Sequence, residues 1–171
     1  MAKPGGSSSG GSGGSSSEPF SIGSQLLVLL SADSAALAVY SEGQLLRHKV
    51  HTGYTVRQQQ GKAQATYERQ GGGARSVGGS IRARETRRLF QAAAATLAGW
   101  EGDVAGCSLL FRSGSVRAWN ELYAARSPPV PVDRRDPRWQ PVGLSMRRPR
   151  LEDAERAFAA LSTGTLWERL Q

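Results

Sequence analysis

Gln25–Tyr40 reads QLLVLLSADSAALAVY, two short apolar runs separated by Ser31-Ala32-Asp33-Ser34. Runs this short, bounded by turn residues and without polar alternation, suit strands buried on both faces. The spacer has turn chemistry, so Gln25–Leu30 and Ala35–Tyr40 are expected to lie side by side. Glu42-Gly43 marks the next tight turn. Beyond it Leu45, Arg47, Lys49 and His51 alternate awkwardly with Leu46, His48 and Val50, which reads as a third, longer strand running to Val56 and completes a meander.

Downstream, strands and helices alternate. Ser80 can cap a helix whose apolar positions Ile81, Leu89, Ala92, Ala93 and Leu97 recur at helical spacing, with an end near Gly99. Gly106–Phe111 reads as a strand, Ser115–Tyr123 as a short helix, and Ser127–Trp139 as a Pro- and Arg-rich connection outside regular structure. A further strand is expected around Val142–Met146. A last helix carries Glu152 and Asp153 in its first turn and the stripe Leu151, Ala154, Phe158 and Leu161, stopping at Ser162-Thr163-Gly164. The order implies an α/β sandwich with a mixed sheet flanked by helices.

The chain has 171 residues, and the Gly/Ser-rich stretch Gly5–Ser17 is nearly free of apolar side chains. Residues 1–19 are therefore expected to be a disordered tail and residues 20–171 a single folded domain, expected to be monomeric. Lys and Arg number 22 against 14 Asp and Glu, a formal charge of +8, which favours polyanionic partners and nucleic acid first among them. Cys107 is the only cysteine and His48 and His51 the only histidines, so a disulfide is impossible within the chain and no metal or other cofactor is expected. No apolar run has the length of a membrane span, so no membrane partner is expected. A Ser-rich, acid-poor start leaves organelle import open, but a transit peptide would carry arginines and this stretch has none, so cytoplasm is the expected compartment.

From Arg57 to Gly79 large apolar side chains almost vanish, leaving a long loop with Gly61, Gly71-Gly72-Gly73 and Gly78-Gly79. Loops longer than about 12–15 residues are uncommon in compact domains and tend to be functional or disordered. This one carries Arg57, Lys62, Arg69 and Arg75 against Glu68, and the helix after it begins with Arg82, Arg84, Arg87 and Arg88. Cations in the first turns oppose the positive end of the helix dipole, so the crowding is better explained by a bound anion than by stability. No nucleophile-elbow sequence supports a Ser-His-Asp triad, and His48 and His51 read as rim or core histidines.

Within the loop stands Gly61-Lys62-Ala63-Gln64, a Gly-x-x-Gln sequence preceded by Tyr54-Thr55-Val56-Arg57 and followed by Ser76, Gly78, Ile81 and Arg82. That ordering resembles the central motif of the Vms-type release-factor (VLRF) domain family, found in ankyrin and zinc-finger peptidyl-tRNA hydrolases of eukaryotes. LLFRSGSVRAWNELY and VGLSMRRPRLEDAERAFAAL resemble its later elements, so the likeness runs from about Ser24 to Leu161. Two departures stand out: Ala83 where the family usually has a second Arg, and Arg84-Glu85 where it has a Tyr-Asn-Glu-like sequence. The zinc finger, ankyrin repeats and segregase-binding segment of the eukaryotic proteins are not expected within these 171 residues, so recruitment by the corresponding partners is not expected either.

The resemblance implies a fold like the middle domain of the eukaryotic peptide release factor. It also implies an enzyme, a hydrolase of the endonuclease type, that cleaves the acceptor end of peptidyl-tRNA on stalled large ribosomal subunits in ribosome-associated quality control. Peptidyl-tRNA and the large ribosomal subunit would be its partners. Gln64 would be the catalytic residue, acting as a positioner, since a glutamine amide offers donors and an acceptor but does not titrate. Gly61 would let RNA approach the backbone closely, and Arg57, Lys62, Arg75, Ser76, Gly78 and Arg82 would contact RNA or neutralise developing charge. Simple ester hydrolysis and a non-catalytic RNA- or ribosome-binding role are the competing expectations.

Overall fold

The computed structural model describes residues 23–53, 77–144 and 146–168, with the backbone alone for 77–80 and 163–168. The tail, residues 1–19, lies outside them. Strands β1 (Ser24–Leu30), β2 (Ser34–Ser41) and β3 (Gln44–Thr52) form the expected antiparallel meander. Strands β4 (Cys107–Ser113) and β5 (Trp139–Pro141) extend the sheet in parallel on the other side of β1, giving the order β3-β2-β1-β4-β5. The sheet is mixed, as expected.

The first two strands lack alternation because helices cover both faces of the sheet. Leu26, Val28 and Leu30 of β1, with Ala35, Leu37 and Val39 of β2, face helix α1 (Val77–Gly99) and meet Leu89, Phe90, Ala93 and Leu97. Leu27 and Leu29, with Ala36, Ala38 and Tyr40, face helix α4 (Leu151–Glu168) and meet Ala154 and Ala157. On that side the Tyr40 ring stacks on Phe158 with centroids 3.7 Å apart. Each leucine buried this way contributes about 1.5–3 kcal/mol.

The irregular pattern of the third strand has a cause in its pairing. β3 is an edge strand, and a register shift between Val39 and Tyr40 places Arg47 opposite Val39 and Leu45 opposite Tyr40. Leu46 is left over and is 53% exposed. Such a bulge bends the edge and interrupts the ladder that another chain could extend. The strand ends at Thr52, before the expected limit; Gly53 leaves it with its N–H donated to the Asp33 carbonyl at 2.8 Å, and residues 54–56 lie outside the described residues.

Three further boundaries differ from expectation. Helix α1 starts at Val77, so Gly78 and Gly79 belong to its first turn, and Ser80 is the fourth helical residue rather than the cap. The residue ahead of Val77 is Ser76, a type that favours the N-cap, and a first-turn glycine forfeits fewer intrahelical bonds than an interior one. The last strand is β5 at Trp139–Pro141 and not Val142–Met146. Burial of Trp139 sets that register: its Nε1 donates to the Asp133 carbonyl at 3.0 Å and its ring meets Trp119 edge-on at 5.3 Å. Helix α4 runs on through Ser162-Thr163-Gly164 to Glu168, since weak helix formers cost about 1 kcal/mol each at most and do not stop a helix already anchored by packing.

Two short helices complete the body. Helix α2 (Glu101–Gly106) buries a single side chain, Val104, too little for a sequence pattern to reveal. Arg138 closes its end by donating to the carbonyls of Ala105 and Cys107 at 3.2 and 2.8 Å. Helix α3 (Val116–Tyr123) is the expected short helix, and Ser115 caps it, its hydroxyl accepting from the Ala118 N–H at 3.2 Å. Among the described residues no helix is long and apolar enough to cross a membrane.

Candidate functional site

Strands β1, β3, β4 and β5 all point the same way, so their carboxyl ends share one edge of the sheet. Ligands of open α/β sheets gather at such edges, where loops and helix starts converge. Here the chain leaves the described body at Gly53 and returns at Val77. Helix α1 then runs back antiparallel to β3: Leu89 lies over Gly53, and Thr96 Oγ1 is 2.8 Å from His51 Nε2.

That geometry leaves the beginning of α1 beyond the sheet. From Val77 to Leu89 a helix rises about 18 Å. Ile81, Arg82, Ala83 and Arg84 are all exposed, and four consecutive residues span every side of a helix, so no face of this stretch packs on the core. The first turns are an arm carrying Arg82, Arg84, Arg87 and Arg88, placed beside the exit of the 54–76 segment.

The exit itself is clamped. Arg148 Nε lies 3.2 Å from Asp33 Oδ2, and Arg148 Nη2 donates to the Gly53 carbonyl at 3.5 Å. Ser31 donates to the other Asp33 oxygen at 2.9 Å, and Ser34 donates to the Pro149 carbonyl at 2.6 Å. The arginine is about half exposed, and an ion pair of that kind contributes about 0–1 kcal/mol. Its main effect is to fix the β1–β2 turn, the end of β3 and the approach to α4 as one unit.

Between the end of β3 and α1 lies an open groove of 530 Å³, walled by His51, Gly53, Glu85 and Arg88 and floored by Leu89 and Ala92. Glu85 and Arg88 are paired across one turn at 3.4 Å. Burial, and secondarily Lys49, holds the His51 imidazole below the usual histidine range, so the ring is neutral at pH 7. The Thr96 hydroxyl donates to the Ala92 carbonyl at 3.1 Å, which leaves its lone pairs to accept from His51 Nε2–H.

Of the residues the sequence singled out, Gln64, Arg57, Gly61, Lys62, Arg75 and Ser76 lie outside the described residues, between the two ends of this clamp and arm. Arg82 lies in α1 as expected, and Gly78, expected in the loop, lies in the first turn of that helix. Sequence reasoning missed Asp33, which reads there as a turn residue, and gave Arg148 no role. The Cys107 thiol is buried and pushed up to about 11 by that burial, which makes it a poor nucleophile. Among the described residues no group of three or more His, Cys, Asp or Glu could hold a metal ion.

A mixed five-stranded sheet covered by helices on both faces defines an α/β domain, in which the sequence between the end of β3 and the start of α1 is basic and glycine-rich. The chain belongs to the family described as bVLRF1, the Bacteroidetes VLRF1 release factor, which matches residues 25–168. It is 30% identical over 142 residues to the "tRNA endonuclease ANKZF1" of Bos taurus, covering 81% of this chain and 19% of that protein. The Homo sapiens protein of the same name is 28% identical over 147 residues, with 84% of this chain and 20% of that protein covered. The chain thus spans about a fifth of the length of these relatives. The solved "Vms1 mitochondrial localization core" shares the fold with a TM-score of 0.55 at 15% identity, covering 81% of this chain and 54% of that chain.

Proposed function

We propose that this protein is an RNA-cleaving enzyme that cuts the acceptor end of peptidyl-tRNA held on a stalled large ribosomal subunit, with Gln64 as its catalytic residue. The observation that carries the reading is family membership over residues 25–168 together with relatives named as tRNA endonucleases. The geometry at the two ends of the 54–76 segment is consistent with it: the contacts of Arg148 with Asp33 and Gly53 at one, an arginine-bearing helical arm at the other. In the same reading the protein acts in the cytoplasm, as a monomer and without a cofactor.

The step is a transesterification. Gln64 holds a ribose 2′-hydroxyl toward the adjacent phosphorus through its amide. The 2′-oxygen forms a bond to phosphorus and gives up its proton, the bond from phosphorus to the 5′-oxygen of the next nucleotide breaks, and that oxygen leaves with a proton. The nascent chain departs with its terminal nucleotides, and the tRNA keeps a 2′,3′-cyclic phosphate. Arg57, Lys62, Arg75 and Arg82 neutralise the phosphate as charge develops.

Purified protein incubated with peptidyl-tRNA on isolated large subunits, followed by sequencing gels of the tRNA, tests this directly. A shortened 3′ end that resists a simple phosphatase but yields to an enzyme opening cyclic phosphates is the expected result. An intact terminus with a freed peptide makes the protein an esterase, and binding without either product makes it a non-catalytic module.

A further inference from the structure

Across the carboxyl edge from the clamp lies a second cleft, of 400 Å³, between the end of β4, the start of α3 and the end of β5. Arg112 and Arg134 both line it, with Ser113, Gly114, Val116 and Val142. Elsewhere among the described residues Arg47 pairs with Asp103, Arg88 with Glu85, Arg138 with Asp136, Arg148 with Asp33 and Arg156 with Asp153. Among the described residues neither Arg112 nor Arg134 has a carboxylate within ion-pair distance, and Arg134 Nη1 donates instead to the neutral side-chain amide oxygen Oδ1 of Asn120, at 2.6 Å. Two guanidinium groups gathered in one concavity without an acid repel each other, an arrangement that an anion relieves.

The cleft is built and not merely a gap between side chains. Gly114 has φ 123°, and a Cβ there would stand 2.6 Å from the Leu30 carbonyl oxygen, so the β4–α3 turn sits directly on the end of β1. On the opposite wall the Val142 N–H donates to the Arg112 carbonyl at 2.8 Å, and Ser113 Oγ donates to the Leu144 carbonyl at 3.2 Å. Trp119, 7% exposed, closes the bottom. Arg112 therefore projects from fixed backbone, and the end of β4 is three strand spacings, about 14 Å, from the end of β3.

We propose that this cleft is a second RNA subsite, in which Arg112 and Arg134 grip a phosphodiester of the RNA that the protein cleaves. The inference rests on the RNA-cleaving reading above and adds to it a fixed second point of attachment. A second anchored phosphodiester orients the RNA chain, which one point of attachment does not.

The test is binding of a labelled, uncharged tRNA to the full chain at several salt concentrations. Arg112→Gln and Arg134→Gln are each expected to weaken binding about three- to tenfold near 100 mM salt and to lower the salt slope by about 0.7–0.9. Arg126→Gln, a substitution on the outer surface, should change both less. Val116→Glu places an acid at the mouth of the cleft without removing either arginine; Val116 is 71% exposed and opens α3, where a carboxylate favours the helix, so the variant folds and should weaken binding as the arginine variants do. Unchanged slopes in both arginine variants, full affinity in Val116→Glu, or an equal loss in Arg126→Gln each overturn the subsite. Cleavage by the unmodified protein is scored separately: its absence defeats the enzymatic reading, while the salt slopes still decide the cleft.

Discussion

His51 Nε2 stands 2.8 Å from Thr96 Oγ1, joining the end of β3 to the last turn of α1 beside the groove that these two elements form. The ring is half-buried and its pKa lies below the usual histidine value, first because burial penalises the cation and then because Lys49 adds repulsion. A depressed histidine pKa means the unfolded chain binds the proton more readily than the folded one. The stability it confers is complete above the unfolded pKa of about 6.5 and is lost as pH falls from there toward the folded pKa. Thermal melts of the unmodified protein should therefore decline between about pH 7 and pH 5 more steeply than melts of His51→Gln. Parallel profiles for the two proteins would remove His51 as a source of acid sensitivity.

Asp33→Asn should separate stability from positioning. The pair with Arg148 is partly exposed, so its loss costs about 0–1 kcal/mol, which at about 2–4 °C per kcal/mol moves the melting temperature only slightly. The stem of the 54–76 segment, however, loses the group that holds Arg148 near the Gly53 carbonyl. Cleavage of peptidyl-tRNA should fall about threefold or more while tRNA affinity stays near that of the unmodified protein. Equal cleavage rates would show that the clamp does not set the geometry of the reaction.

Gly114→Ala should be among the more damaging substitutions of small size in the molecule. At φ 123° an alanine is strained, and its Cβ would meet the Leu30 carbonyl oxygen and Cβ at 2.6 and 2.9 Å, groups that belong to the central strand and cannot move aside. A loss of about 2–4 kcal/mol is expected from strain and clash together. Denaturant unfolding monitored by tryptophan fluorescence measures it. A loss under about 1 kcal/mol would mean that the β4–α3 turn relaxes more freely than its contacts indicate.

The parts of the fold legible in the sequence are those whose signal is local. QLLVLL and AALAVY have no polar face because both faces are buried, and the short helix α3 falls within the expected Ser115–Tyr123. Failures occur where distant groups decide. Trp139 becomes a strand residue through Asp133 and Trp119, not through its neighbours, and α4 passes Ser162-Thr163-Gly164 on the strength of packing against Tyr40, Ala36 and Ala38. For the site, the Gly-x-x-Gln segment is visible as a motif, whereas the clamp joins residues 33, 53 and 148 and the second cleft joins 112 with 134. Spacing in the chain carries no trace of such meetings; they follow from the sheet order and from where its helices begin.

Gln64→Leu is the substitution on which the functional reading turns. Leucine keeps the approximate size of glutamine and removes the amide, so any role in placing a hydroxyl or a water is lost while bulk is retained. Side chains in polar, glycine-rich loops contribute little to a core, and substitutions away from a core usually change stability by less than about 0.5 kcal/mol. The variant should therefore melt within about 2 °C of the unmodified protein and bind tRNA with the same salt slope. Release of the nascent chain should disappear, because binding energy from the arginines brings the RNA to the site without aligning the attacking group. Gln64→Asn retains the amide but shortens its reach by one methylene, and partial activity there would tie the loss to geometry and not to polarity alone. Full release by Gln64→Leu would remove the residue from the mechanism and return the chemistry to the basic side chains around it.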